Sequence, residues 1–131
     1  MDIKTIELAI DNVLSYGDTD VFPIPIDNIF FPEHRNDVIR IIKELDTKAH
    51  SFQSLLEYIN NNKFESINTY KAVGYSAYRW VTQLNPYINI LLLSYAIELA
   101  NSLEHSRLNK NLEIIHSYRF KPDHPNGELF Y

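Results

Sequence analysis

Apolar residues recur at helical spacing from the first turn of the chain. Ile3, Ile6, Ile10 and Val13 share one face, with Leu14 alongside, and Lys4, Glu7 and Asp11 take the other. The spacing predicts an amphipathic helix over 2–15, ended at Tyr16-Gly17 because glycine enters positive φ without steric cost. From Asp18 to Pro32 the periodicity is lost. Three of the six prolines lie there, which predicts extended, irregular backbone. The segment is still rich in Val21, Phe22, Ile24, Ile26, Ile29, Phe30 and Phe31, so it is expected to pack across the body of the protein. Helical spacing resumes near Glu33–Asn36, with Val38, Ile41, Ile42 and Leu45 forming the apolar face of a helix that reaches about Thr47. A further turn or two is expected through Phe52, Leu55, Leu56 and Ile59, stopped by Asn60-Asn61-Asn62, residues that prefer turns and caps.

Beyond Ala72 the period changes to two. Tyr78, Trp80 and Thr82 alternate with Arg79, Val81 and Gln83, predicting a strand near 77–83. Asn85-Pro86 is a helix start, with asparagine as N-cap and proline at the first helical position. The helix is expected to run to about Arg107. Ile88, Leu91, Leu92, Tyr95, Leu99 and Leu103 line one face and Ile90, Leu93 and Ile97 much of the other, which calls for cover on several sides. Leu112 to Phe120 reads as a second strand, followed by a loop with Pro122, Pro125 and Gly127 and an apolar end at Leu129-Phe130-Tyr131. The expected class is therefore α+β, mainly helical, with several helices and a small antiparallel β element.

Length and composition fit one domain. The 131 residues are 45% hydrophobic and 22% charged, ordinary globular usage, and only three are glycine, which disfavours turn-rich all-β architectures. The absence of cysteine excludes disulfide scaffolds, thiolate metal sites and cysteine nucleophiles, and suits a reducing cytoplasm. Met1-Asp2-Ile3-Lys4 lacks the basic-then-apolar pattern of a secretory leader. The most apolar run, Ile88 to Leu99, is interrupted by Asn89, Ser94 and Glu98, so a buried helix is expected and no membrane anchor.

The net charge of −5 is unevenly spread. Residues 1–62 carry five basic against eleven acidic side chains, whereas residues 63–121 carry seven against four. Bulk charge argues against a free-standing DNA binder, and only the second segment has the sign that suits a phosphate backbone.

The candidate chemistry is sparse. His34, His50, His105, His116 and His124 match no metal-ligand spacing, and no nucleophile elbow or glycine-rich phosphate loop occurs. Asp18-Thr19-Asp20 supports two readings: a carboxylate pair sharing a divalent cation, or an Asx or Thr turn bonding its own backbone. Arg79, between Tyr78 and Trp80, and Arg119, between Tyr118 and Phe120, sit in predicted strands, with Lys121 next. If those strands pair, the three cations gather on one sheet face, where guanidinium groups beside aromatic rings suit phosphate and base contacts. Salt bridges to the acidic first half are the competing account.

Three blocks carry a family resemblance. Tyr16-Gly17-Asp18-Thr19-Asp20-Val21-Phe22-Pro23-Ile24-Pro25-Ile26 resembles a Gly-Asp-Thr-Asp-(Val/Ile)-Phe-Pro signature near the start of a group of bacterial reverse transcriptases, several of them associated with defence against phage. Val73 to Pro86, containing Tyr78-Arg79-Trp80, and Ser117-Tyr118-Arg119-Phe120 with downstream Pro122-Asp123, fit the same group in the same order. The resemblance covers nearly the whole chain.

It implies a single fingers-side segment preceding a polymerase palm. Residues 1–62 would form an acidic helical part with a proline-rich loop, and residues 63–131 a strand-helix-strand part. Gly17, Asp18, Asp20, Pro23 and Trp80 would be structural signature positions. Arg79, Arg119 and Lys121 would contact nucleotide or template phosphates. In that family an RNA-directed DNA polymerase (a nucleotidyltransferase) uses Mg²⁺ held by palm aspartates. No Asp-Asp pair occurs in this sequence, so no catalytic residue and no cofactor is assigned to it, and it is expected not to polymerise alone. The implied partners are a palm domain or partner subunit and RNA or DNA, with self-association through apolar surface of the 86–106 helix. A small self-contained helical interaction module is the alternative, and an enzyme using Asp18 and Asp20 with a metal is a third reading.

Overall fold

A computed structural model describes residues 1–16 and 27–107. Among these residues five helices and one hairpin follow in order: α1 (Ile3–Tyr16), α2 (Asp27–Glu33), α3 (Arg35–Lys48), α4 (Phe52–Asn61), β1 (Ile67–Gly74), β2 (Ala77–Gln83) and α5 (Pro86–Ser106). The fold is α+β and mainly helical, with a small antiparallel β element.

The core lies where α1, α3 and α5 meet. Ile6, Ala9, Ile10 and Val13 of α1 recur at three- and four-residue steps and are buried, as are Val38, Ile42 and Leu45 of α3 and Ile90, Leu91 and Ile97 of α5. Ile3, although in phase with this stripe, lies in the first turn and is exposed. Polar ties set the helix order. Arg35 donates to Asp11 Oδ1 at 2.7 Å and to the carbonyl of Glu7 at 3.2 Å, pinning the start of α3 to α1. Tyr58 donates to Glu44 Oε2 at 2.6 Å, joining α4 to α3. That hydroxyl, followed by Arg40, holds the Glu44 carboxyl below its ordinary range.

The extended backbone expected over 18–32 is corrected at its end: Asp27–Glu33 is helical, with Pro32 inside. Seven residues are too few for an independently stable helix, so tertiary burial must decide the conformation. Phe31 supplies it, at 1% exposure and with its ring centroid 6.0 Å from that of Tyr87 on α5. Helix α4 is also longer than the turn or two expected, and it ends as the asparagine run implied. Beyond Asn62 the chain turns through Lys63 at φ 55°.

Helix α5 starts at the expected signal. Asn85 Oδ1 accepts the Tyr87 N–H at 3.0 Å, and Pro86 occupies the first turn, where its missing N–H costs nothing. Its cover is broad but incomplete. Ile90, Leu91, Ser94, Ile97 and Ala100 face the body, while Leu92, Leu99 and Leu103 are about half exposed. With Ile88, Leu93 and Tyr95 also packed against the core, the helix is covered on several sides and, among the described residues, leaves one strip exposed. No helix among the described residues is long and apolar enough to cross a membrane.

The strand expected at 77–83 is present, but its described partner is Ile67–Gly74, a strand the sequence reading did not anticipate. The partner expected for it, Leu112 to Phe120, lies outside the described residues, as do the 122–127 loop and the apolar end. The hairpin closes through Tyr75 and Ser76, with Ser76 at φ 61°. Val73 is the extra residue of a bulge between the Ala72–Tyr78 and Gly74–Ala77 pairs.

Candidate functional site

Of the eight residues singled out from the sequence, Arg79 and Trp80 are described, both on β2. Gly17, Asp18, Asp20, Pro23, Arg119 and Lys121 lie outside the described residues, and with them the expected gathering of Arg79, Arg119 and Lys121.

The hairpin brings a different set together. Antiparallel register places Lys71 opposite Arg79 and Tyr70 opposite Trp80. Because successive side chains alternate between the two faces, Tyr70, Tyr78 and Trp80 share one face and Lys71 and Arg79 the other. Tyr70 and Trp80 meet edge to face, ring centroids 4.8 Å apart at 86°. Asn68 and Thr82 extend the aromatic face, joined by a hydrogen bond from Thr82 Oγ1 to Asn68 Oδ1 at 2.7 Å. On the other face Gln83 is buried at the hairpin base and Val81 is half-buried, so this end is seated against the protein. Arg79 is exposed, and its guanidinium makes no hydrogen bond or ion pair to a described residue. Tyr75 at the tip is fully exposed.

Lys71 and Tyr70 were missed because β1 was missed. The signal was present: Ile67, Thr69 and Val73 are β-branched, Tyr70 is aromatic, and Gly74 stands at the start of a tight turn before Ala77.

Elsewhere the described surface offers little chemistry. Open hollows flank α4, one of 420 Å³ lined by Ile59, Asn60, Lys63, Phe64, Glu65 and Ser66, another of 230 Å³ bounded by Lys48, His50, Ser54, Glu57, Tyr58 and Asn61. In the second, His50 Nδ1 lies 2.6 Å from the Thr47 carbonyl and must donate to it. That atom is therefore spent on the backbone and is not free to act as a base toward Ser54. Among the described residues no group of three or more acidic or histidine side chains is placed to hold a metal ion. Comparison with protein-family models, with curated proteins and with solved structures finds no match to this chain.

Proposed function

We propose that the chain is the amino-terminal, fingers-side segment of a reverse transcriptase-like RNA-directed DNA polymerase of the phage-defence type. It would act in the cytoplasm and contact nucleic acid through its hairpin. The observation that carries this reading is the order of three blocks: Gly17 to Pro23, Val73 to Pro86, and Ser117 to Asp123. The middle block spans the end of β1, the hairpin turn, β2 and the cap of α5. It thus belongs to one continuous structural unit with Arg79 on its exposed surface. The role assigned to the chain is binding and scaffolding. The family's Mg²⁺ chemistry belongs to palm carboxylates, and no residue here is given a share in it.

The test is salt-dependent binding of a primer–template by wild type, Arg79→Ala and Arg119→Ala. Each lost phosphate contact should weaken binding and lower the salt slope by about one. Unchanged affinity and slope in both variants would remove the assignment.

A second reading, a self-contained helical interaction module, is favoured by one observation: Leu92, Leu99 and Leu103 lie half exposed along α5. Concentration-dependent association that Leu99→Glu abolishes, in a protein that binds no primer–template, would select it.

A further inference from the structure

The hairpin is seated on the protein at one end of one face, where Gln83 is buried and Val81 half-buried. The opposite face is formed by Asn68, Tyr70, Ala72, Tyr78, Trp80 and Thr82, and all six are exposed. Tyr70, Tyr78 and Trp80 are 64%, 70% and 59% exposed, side by side. Isolated exposed rings are ordinary, whereas a contiguous apolar surface of this kind marks a place where something docks. A two-stranded hairpin is also marginal in water until a further layer packs on it. Among the described residues the helices pack mainly on one another and the strands on each other, so no helix supplies that layer.

Charge, polar pairing and area together select the occupant. None of the six residues is charged at neutral pH, so the face draws neither an anionic nor a cationic partner by sign. Two copies of a chain at −5 repel one another across much of their surface, and this face lets them meet without apposing charges. Lys71 and Arg79 lie on the opposite face of the hairpin. In a face-to-face contact with backbones about 10 Å apart they point outward, further from their counterparts than the Debye length of about 8 Å. Thr82 Oγ1 already donates to Asn68 Oδ1 at 2.7 Å, so this end is buried with its hydroxyl satisfied, whereas a site for a hydrogen-bonding ligand keeps such groups aimed outward. At these exposures the rings offer roughly 300–500 Å² per copy and roughly 600–1,000 Å² for two. Ala72 and the flanking Asn68 and Thr82 bring the contact to the roughly 1,000 Å² expected of a specific but weak interface.

We propose that the chain forms a two-fold dimer in which the Tyr70/Tyr78/Trp80 faces of two hairpins pack on each other as a small four-stranded sandwich. Tyr70–Trp80 is the middle of the three cross-strand pairs on this face, so Trp80 lies near the centre of the contact. Each copy presents the same surface, so assembly closes at two. The dimer does not rest on the nucleic-acid reading, because Arg79 stays on the outer face.

Sedimentation equilibrium of the full chain should show monomer and dimer exchanging in the micromolar range, with no larger species and little change between low and high salt. Trp80 is the only tryptophan, so its emission should shift to the blue as protein concentration rises. Trp80→Ala and Tyr78→Ala should each weaken dimerisation about thirtyfold or more, the loss expected of a central aromatic anchor. Circular dichroism identifies a variant that has lost its fold. The chain has no cysteine, so Ala72→Cys places a single thiol on the face without removing a ring. A bismaleimide should join two copies of Ala72→Cys and leave Arg79→Cys, on the opposite face, largely unjoined.

A chain that stays monomeric, or that grows past two copies, overturns the proposal. So does association that both folded alanine variants retain, or equal cross-linking of the two thiols. Association lost in Leu99→Glu and kept in the alanine variants moves the contact to α5 and overturns it as well. Primer–template binding by a chain that never dimerises would leave the nucleic-acid reading standing while the dimer falls.

Discussion

The hydroxyl of Tyr95, midway along α5, donates to Asp46 Oδ1 near the end of α3 at 2.8 Å, and the other oxygen of the same carboxylate holds the Met1 ammonium at 3.2 Å. Three parts of the fold, separated by nearly the whole described chain, therefore converge on one side chain. Removing the hydroxyl in Tyr95→Phe leaves the ring packing but loses a hydrogen bond to a charged acceptor. Asp46 keeps partial access to water, so the cost is at the low end for such bonds, about 1 kcal/mol. Urea denaturation should show a lower midpoint with an unchanged slope.

Burial, and then the Asp46 carboxylate, push the Tyr95 hydroxyl up to about 12. A group that holds its proton more tightly when folded contributes nothing variable while both states are protonated. Stability should thus be level below about pH 10, the ordinary tyrosine value, and fall as pH rises from there through about 12. Tyr58, raised by its bond to Glu44, adds in the same direction. Absorbance titration of the phenolates should show late-ionising tyrosines among the nine, and Tyr95→Phe should flatten the alkaline decline. A decline identical in the variant would place the alkaline sensitivity elsewhere.

Helix α4 closes with a Schellman pattern. Phe64 N–H bonds the Ile59 carbonyl at 3.1 Å, Lys63 N–H bonds the Asn60 carbonyl at 3.3 Å, and Phe64 stacks on Tyr58 with centroids 6.1 Å apart. The left-handed position belongs to Lys63, at φ 55°, where a Cβ is crowded. Lys63→Gly should raise stability by about 1 kcal/mol through relief of that crowding, offset in part by glycine's greater freedom when unfolded. Lys63→Val, β-branched, should lower it. Thermal melts of the pair should move in opposite directions.

What could be read from the sequence follows how local each signal is. Asn85-Pro86 specifies its helix start within two residues, and the α1 and α3 stripes repeat their period often enough to show the buried face. Helix α2 could not be read this way. Pro32 argues locally for extended chain, and the contact that overrides it, Phe31 against Tyr87, joins residues far apart in sequence. The site falls between these cases. Arg79 and Trp80 stand out as a cation and an aromatic ring in an alternating strand. Their partners depend on register, and the Val73 bulge shifts that register by one residue, so no count from the turn alone puts Lys71 opposite Arg79.

That register makes Arg79 a test of whether the hairpin is shaped for stability or for binding. Arg79→Thr replaces a cation facing Lys71 with a residue of high strand preference, and it should stabilise the strand pair by about 0.2–1 kcal/mol. The gain is local because the hairpin stands outside the α1, α3 and α5 core. Hydrogen exchange should slow at hairpin amides between Ile67 and Gln83, while the global urea midpoint stays at the wild-type value. Oligonucleotide affinity should fall in the same variant. Faster exchange in Arg79→Thr would mean that the guanidinium holds the hairpin together, and the arginine would then be structural. Slower exchange with weakened binding would mean that the hairpin carries its cation at the expense of its own stability, for the sake of an anionic ligand.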